Sequence, residues 1–109
     1  MEFMISTNPG EPIKSLGAVA SGGELSRIML AIKTVLAHRD KIPTMIFDEI
    51  DTGISGKTAW KVSEKLGALS RNRQIICITH LPQIAAMADC NFKIAKRALD
   101  NKTITNIEQ

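Results

Sequence analysis

Two short apolar runs, Thr44-Met45-Ile46-Phe47 and Gln74-Ile75-Ile76-Cys77-Ile78, are separated by a stretch of helical periodicity, and this alternation restricts the fold more than any other feature. Each run is short and stopped by polar residues, as a buried strand is. Ahead of the first run, Leu25, Ile28, Met29, Ile32, Val35 and Leu36 recur at helical spacing, with Lys33, His38 and Arg39 on the other face or at the end. They predict a helix from about Glu24 to His38. Between the runs, Ala59, Val62, Leu66 and Leu69 share one face of a helix from about Ser55 to Leu69. Helices alternating with buried strands imply an α/β fold, a mostly parallel sheet flanked by helices, with ligands beyond the carboxyl ends of the strands. Pro82 suits the first turn of a short helix striped by Ile84, Ala85 and Ala88. Asn91 to Arg97 and Thr103 to Ile107 predict a C-terminal strand pair around an Asp100-Asn101 turn. At the other end, Phe3 to Ile5 predicts an edge strand, followed by a loop through Asn8-Pro9-Gly10-Glu11-Pro12.

The chain has 109 residues, 44% of them hydrophobic, enough for one compact domain over residues 1–109. Its net charge is +3, but the basic residues are spread along the chain instead of forming a nucleic-acid-binding arm, so charge says little about partners. No apolar run approaches the roughly 20 residues of a membrane helix, and no signal peptide is legible at Met1-Glu2-Phe3-Met4-Ile5. A soluble, non-secreted protein with no membrane partner is expected. Cys77 and Cys90 show no CxxC or Cys/His spacing, which argues against zinc and against a disulfide framework, and fits a reducing cytosol.

Three polar constellations stand at the edges of these segments. Ser21-Gly22-Gly23-Glu24 reads as a helix start in which Ser21 caps the helix and Glu24 completes a capping box. The same geometry suits a phosphate, because paired glycines admit a close approach and a helix N-terminus offers free N–H groups. Asp48-Glu49 closes the first strand. As a pair they suit Mg²⁺ and a water, with one carboxylate supporting the metal through its hydration shell and the next orienting or deprotonating the attacking water. His80 follows the second strand directly, where its imidazole can reach a phosphate. Gly56-Lys57-Thr58 imitates the end of a phosphate-binding P-loop, GxxxxGKS/T, but Asp51 stands where the first Gly belongs, and Asp48, Glu49 and Asp51 would oppose a phosphate there. Trp60 is expected as a core or domain-interface anchor.

In their order these residues resemble an ABC ATPase head. Ser21-Gly22-Gly23-Glu24 is similar to the signature motif, Thr44 to Glu49 to the Walker B strand, and Ile78-Thr79-His80 to the switch-histidine segment. Ala20 to Ala31 and Phe47 to Gly56 narrow the resemblance to the RecN family of SMC-like ATPases in bacterial DNA repair, and the match covers essentially the whole chain. Walker A, the Q-loop and the separating coiled coil have no counterpart, so the resemblance implies the C-terminal lobe of a P-loop NTPase head, inactive alone. It implies ATP and Mg²⁺ as cofactors. Asp48 would support the metal, Glu49 would be the general base and His80 would contact the γ-phosphate, while Ser21, Gly22, Gly23 and Glu24 would meet the nucleotide of a second head. It further implies a homodimer of heads, the N-terminal Walker A lobe as partner, DNA bound through the complete protein, and a bacterial cytoplasmic, nucleoid-associated setting. Two departures stand out: Ala20 replaces the usual leading Leu of the signature, and Ser55 stands at the D-loop Asp position. The alternatives are a non-catalytic interaction module docking through the Ser21 helix end and the Trp60 surface, or a head lobe from another SMC-like machine or a transporter.

Overall fold

The computed structural model describes residues 1–6, 8–19 and 21–109. Ala20, which departs from the usual leading Leu of the signature, lies outside the described residues, as does Thr7.

The elements follow the predicted alternation, with differences at both ends. A minimal antiparallel pair, β1 (Met4–Ile5) and β2 (Lys14–Ser15), opens the chain and runs into a single turn of helix, α1 (Leu16–Val19). Only the first was legible, because it lies in the apolar stretch Phe3 to Ile5, whereas Lys14-Ser15 is polar and carries no strand signal. Helix α2 spans Gly22–Val35 and starts at the Ser21 cap. It ends before the expected His38, where Leu36 accepts hydrogen bonds from the Arg39 and Asp40 N–H groups and turns the chain. Strand β3 (Thr44–Phe47), helix α3 (Gly56–Ser70) and strand β4 (Gln74–Cys77) come next, then the short α4 (Pro82–Ala85) with Pro82 in its first turn. The C-terminal pair is an antiparallel hairpin of β5 (Lys93–Leu99) and β6 (Lys102–Glu108). Asp100 and Asn101 form its turn with φ of +46° and +62°, the left-handed geometry a two-residue hairpin connection requires.

Among the described residues the strands form three two-stranded sheets, and the parallel part is the β3–β4 pair, in register from Thr44 opposite Gln74 to Phe47 opposite Cys77. A right-handed crossover rule brings the intervening helix onto one face, and the core lies there. Met45 and Phe47 of β3 are buried with Leu30 of α2, Val62, Leu66 and Leu69 of α3, Ile84 of α4 and Ile50 of the β3–α3 loop. The two strands were expected to be buried throughout, yet their alternate residues face outward: Ile46 is 67% exposed and Ile76 44%. A strand has two faces, and α2 and α3 supply apolar cover for only the one that carries Met45 and Phe47. At the end of the lobe away from the strand carboxyl ends, Arg73 Nη2 donates to the carbonyls of Ala37 (2.8 Å) and Asp40 (3.4 Å), tying the turn before β4 to the turn after α2. Lys33 closes that turn by pairing with Asp40.

The one-sided core makes two isoleucines respond differently. Ile50→Ala, at a fully buried position, is expected to lower stability by about 2–5 kcal/mol, and Ile46→Ala by no more than about 0.5 kcal/mol, in urea denaturation. Equal losses would mean that the outer sheet face is packed in solution.

Candidate functional site

The loop between β3 and α3 is the centre of the site, and backbone geometry shapes it first. Glu49 adopts φ of +58°, a left-handed conformation uncommon for a non-glycine residue, at the point where the chain leaves the strand. Asp48 steadies the step by accepting the Glu49 N–H on Oδ1 at 2.8 Å. The first turns of α2 then hold the loop from outside. Ser26 Oγ donates to the Asp48 carbonyl at 2.7 Å, and Arg27 Nη1 donates to the carbonyls of Ile50 (3.1 Å) and Thr52 (2.7 Å). Orphan carbonyls of a turn thereby find partners, one of them a fixed cation.

The glycine pair is what lets α2 come this close. A Cβ on Gly23 would lie 2.8 Å from Thr52 Cβ and 2.9 Å from the Glu49 carbonyl oxygen, and a Cβ on Gly22 would overlap Glu49 Oε2. The capping box is formed as well. Glu24 N–H donates to Ser21 Oγ at 3.2 Å, and Ser21 N–H donates to Glu24 Oε2 at 3.1 Å. The structural role of Ser21 and Glu24 is therefore real, and Gly22 and Gly23 have a packing role beside any role toward phosphate.

On the other side of the loop, Asp51 is only 4% exposed. Its Oδ2 accepts from Thr79 Oγ1 at 2.6 Å, from the His80 N–H at 2.8 Å and from His80 Nδ1 at 2.9 Å. Thr79 Oγ1 in turn accepts the Leu81 N–H at 3.1 Å. Burial pushes the Asp51 carboxyl up, but donation from Thr79, from the His80 N–H and from its own backbone N–H outweighs burial and holds it below the ordinary 3.8. Burial drives the nearby Cys77 thiol the other way, to about 11, helped by the charges of Asp51 and Asp48. That thiol stays protonated and unreactive at neutral pH. Cys77 and Cys90 are both free thiols.

Asp48, Glu49, Asp51, Thr52, Ile78, Thr79 and His80 line one open pocket of about 270 Å³ beyond the carboxyl ends of β3 and β4. Asp48, Glu49 and His80, singled out in the sequence, thus meet in space, and the Ser21-to-Glu24 turn abuts the same loop through Glu49. Gly56, Lys57 and Thr58 open α3 but do not line the pocket. Trp60 is 49% exposed and outside the core. Asp51, Ser26 and Arg27 are site residues that the sequence pattern does not single out. In the sequence Asp51 registers only as unwanted charge near the false P-loop, since its partners lie far along the chain.

No protein-family model matches the chain. It is 53% identical over 108 residues to the DNA repair protein RecN of Bacillus subtilis and 54% identical over 106 residues to that of Treponema pallidum. The chain belongs to the RecN family. These matches cover 99% and 97% of the chain but only 19% and 18% of the relatives, so it spans about a fifth of their length. Among solved structures it is similar to an SMC head domain with an extended coiled coil from Pyrococcus furiosus, described as bound to the C-terminal domain of ScpA (TM-score 0.62, 25% identity, 91% of this chain and 24% of that one). It is also similar to the SMC head domain of Thermotoga maritima (TM-score 0.57, 24% identity, 93% and 37%). The RecN-family segment therefore has the α/β fold of an ABC-type head. Among the described residues, no helix is long and apolar enough to cross a membrane.

The two glycines should differ in what they tolerate. Gly23→Ala forces backbone and Thr52 apart and is expected to cost about 1–3 kcal/mol, whereas Gly22→Ala meets the mobile end of Glu49 and should cost under about 1 kcal/mol in chemical denaturation. Asp51 sets a pH response. Its folded value is depressed, so its contribution is full above the ordinary 3.8 and is lost as pH falls through the folded value. Asp51→Asn should flatten the acid limb of the stability curve below about pH 4; an unchanged limb would show that the carboxylate is not held by these donors.

Proposed function

We propose that the chain is the C-terminal lobe of an ATPase head in a RecN-type DNA repair protein, acting in double-strand-break repair and recombination. The observation that carries this reading is the pocket at the carboxyl ends of two parallel strands, where Asp48, Glu49 and His80 converge while Gly22 and Gly23 of the Ser21-to-Glu24 turn lie against the same loop. Residues 1–109 act as one lobe. Catalysis requires the N-terminal Walker A lobe of the same protein and a second head, so this lobe alone hydrolyses no ATP.

The donor set fits Mg²⁺. Among the described residues no three His, Cys, Asp or Glu side chains gather into a metal cage, and Mg²⁺ is commonly held by one or two carboxylates, waters and substrate phosphates. Asp48 is the carboxylate that would support it. When bound, the metal neutralises charge developing on the transferred phosphoryl group. Glu49 takes the proton from the attacking water on its carboxylate. His80 meets the γ-phosphate. Ser21, Gly22 and Gly23, with the start of the helix that Glu24 caps, meet the nucleotide of the other head in a homodimer, so that closure of two heads assembles each site.

The bare outer face of β3 and β4, with Ile46, Ile76 and Ile78 exposed, supports an apolar partner lobe over the sheet. DNA is engaged through the complete protein, in the bacterial cytoplasm at the nucleoid, with nucleotide-driven head closure rearranging or bridging DNA.

Mixing this chain with the separate Walker A lobe should restore ATP hydrolysis that neither shows alone; no recovery at any ratio would favour a non-catalytic interaction module. In the complete protein, Glu49→Gln should lower turnover by about 10²–10⁴-fold while leaving ATP binding in place. Wild-type turnover in that variant would remove Glu49 as the base.

A further inference from the structure

Asp51 is a buried carboxylate that the roles proposed above leave without a task, and the three donors that meet its Oδ2 come from the segment that carries His80. Two of them belong to His80 itself, the backbone N–H at 2.8 Å and the ring Nδ1 at 2.9 Å, and the third is the neighbouring Thr79 hydroxyl at 2.6 Å. The imidazole is otherwise open to solvent, 76% exposed, so packing does not fix its orientation. Among the described residues, the carboxylate is the group that tethers it.

We infer that Asp51 is the positioning residue for His80: it fixes the ring by holding the proton on Nδ1 and leaves Nε2 as the atom presented to the pocket. A carboxylate oxygen only accepts, so the ring nitrogen facing it must donate. A ring free of this tether has two neutral tautomers and free rotation about its side-chain bonds, and in neither case is Nε2 directed. The Thr79 hydroxyl completes the device. It donates to Asp51 and accepts the Leu81 N–H, so the turn into α4 is tied to the same oxygen that aims the ring.

The inference deepens the proposed role of His80 toward phosphate and rests on it for function, but not for geometry. A phosphate oxygen requires a donor, so the ring that meets it through Nε2–H carries both protons, and Asp51 is the negative group against which that charge rests. Asp51 touches neither nucleotide nor water in this scheme; it acts through His80. Its place in the sequence, two residues beyond Glu49, makes the loop that carries the proposed base also the loop that aims the histidine.

The test is the tautomer of His80 in this chain, read by long-range ¹H–¹⁵N correlation at about pH 8.5, where a free imidazole is neutral. His38→Gln assigns the spectrum. The expected result is a single tautomer with the proton on Nδ1 in the wild type, retained in Thr79→Val and lost to a mixture in Asp51→Asn. A wild-type proton on Nε2, or the same tautomer in Asp51→Asn as in wild type, overturns the inference, as does an equal change in Thr79→Val. The wild-type measurement decides even where Asp51→Asn does not fold. In the complete protein, Asp51→Asn is expected to lower kcat about 10²-fold with little change in KM for ATP. A changed tautomer with unchanged kcat keeps the positioning role and removes His80 from the proposed reaction, so the two failures are distinguishable.

Discussion

The in-register parallel pairing of Thr44–Phe47 with Gln74–Cys77 is the constraint on which the site depends. Parallel strands end on the same side, and here the last paired residues are Phe47 and Cys77, with the Ile78 N–H still donating to the Phe47 carbonyl at 3.0 Å. The residues just beyond the two strands are therefore adjacent in space, although about 30 residues separate the two segments along the chain. A slip of one residue would turn Met45 and Phe47 away from the core, and burial of those two side chains is what forbids it.

Once the two strand ends are neighbours, hydrogen-bond accounting shapes the rest. The loop leaving β3 exposes carbonyls at Asp48, Ile50 and Thr52, and Ser26 and Arg27 of α2 supply the donors. The loop also buries one carboxylate, Asp51, which is tolerated because three donors surround a single oxygen. Glycine at positions 22 and 23 permits the helix to reach the loop at all. Packing, polar satisfaction and the proposed chemistry thus draw on the same few residues.

The parts legible in the sequence were those with a period or a local motif. Val62, Leu66 and Leu69 announced their helix, Met45 and Phe47 their strand, and Asp100-Asn101 its turn, whereas the stripe that announced α2 left out Leu30, the hydrophobic side chain that this helix buries, and held Leu25, Met29, Val35 and Leu36, which are exposed. Ser21 and Glu24 carried a cap within one turn of chain. Asp48, Glu49 and His80 were found because each ends an apolar run. What escaped was non-local or too short. β2 has two residues, and the outward face of the sheet differs from the inward one only by what packs against it. The partners of Asp51 and Arg27 become visible only after the strands are paired.

The bonds from Ser26 and Arg27 to the loop after β3 have a consequence for a pair of heads. In a two-fold arrangement of the kind proposed, α2 serves one nucleotide while Asp48 and Glu49 serve the other, and this lobe carries both sets on one braced unit. In that arrangement a displacement of the loop at one nucleotide would pull on the helix start at the other. In such a pair neither site would be a separate machine, since the same brace would belong to both.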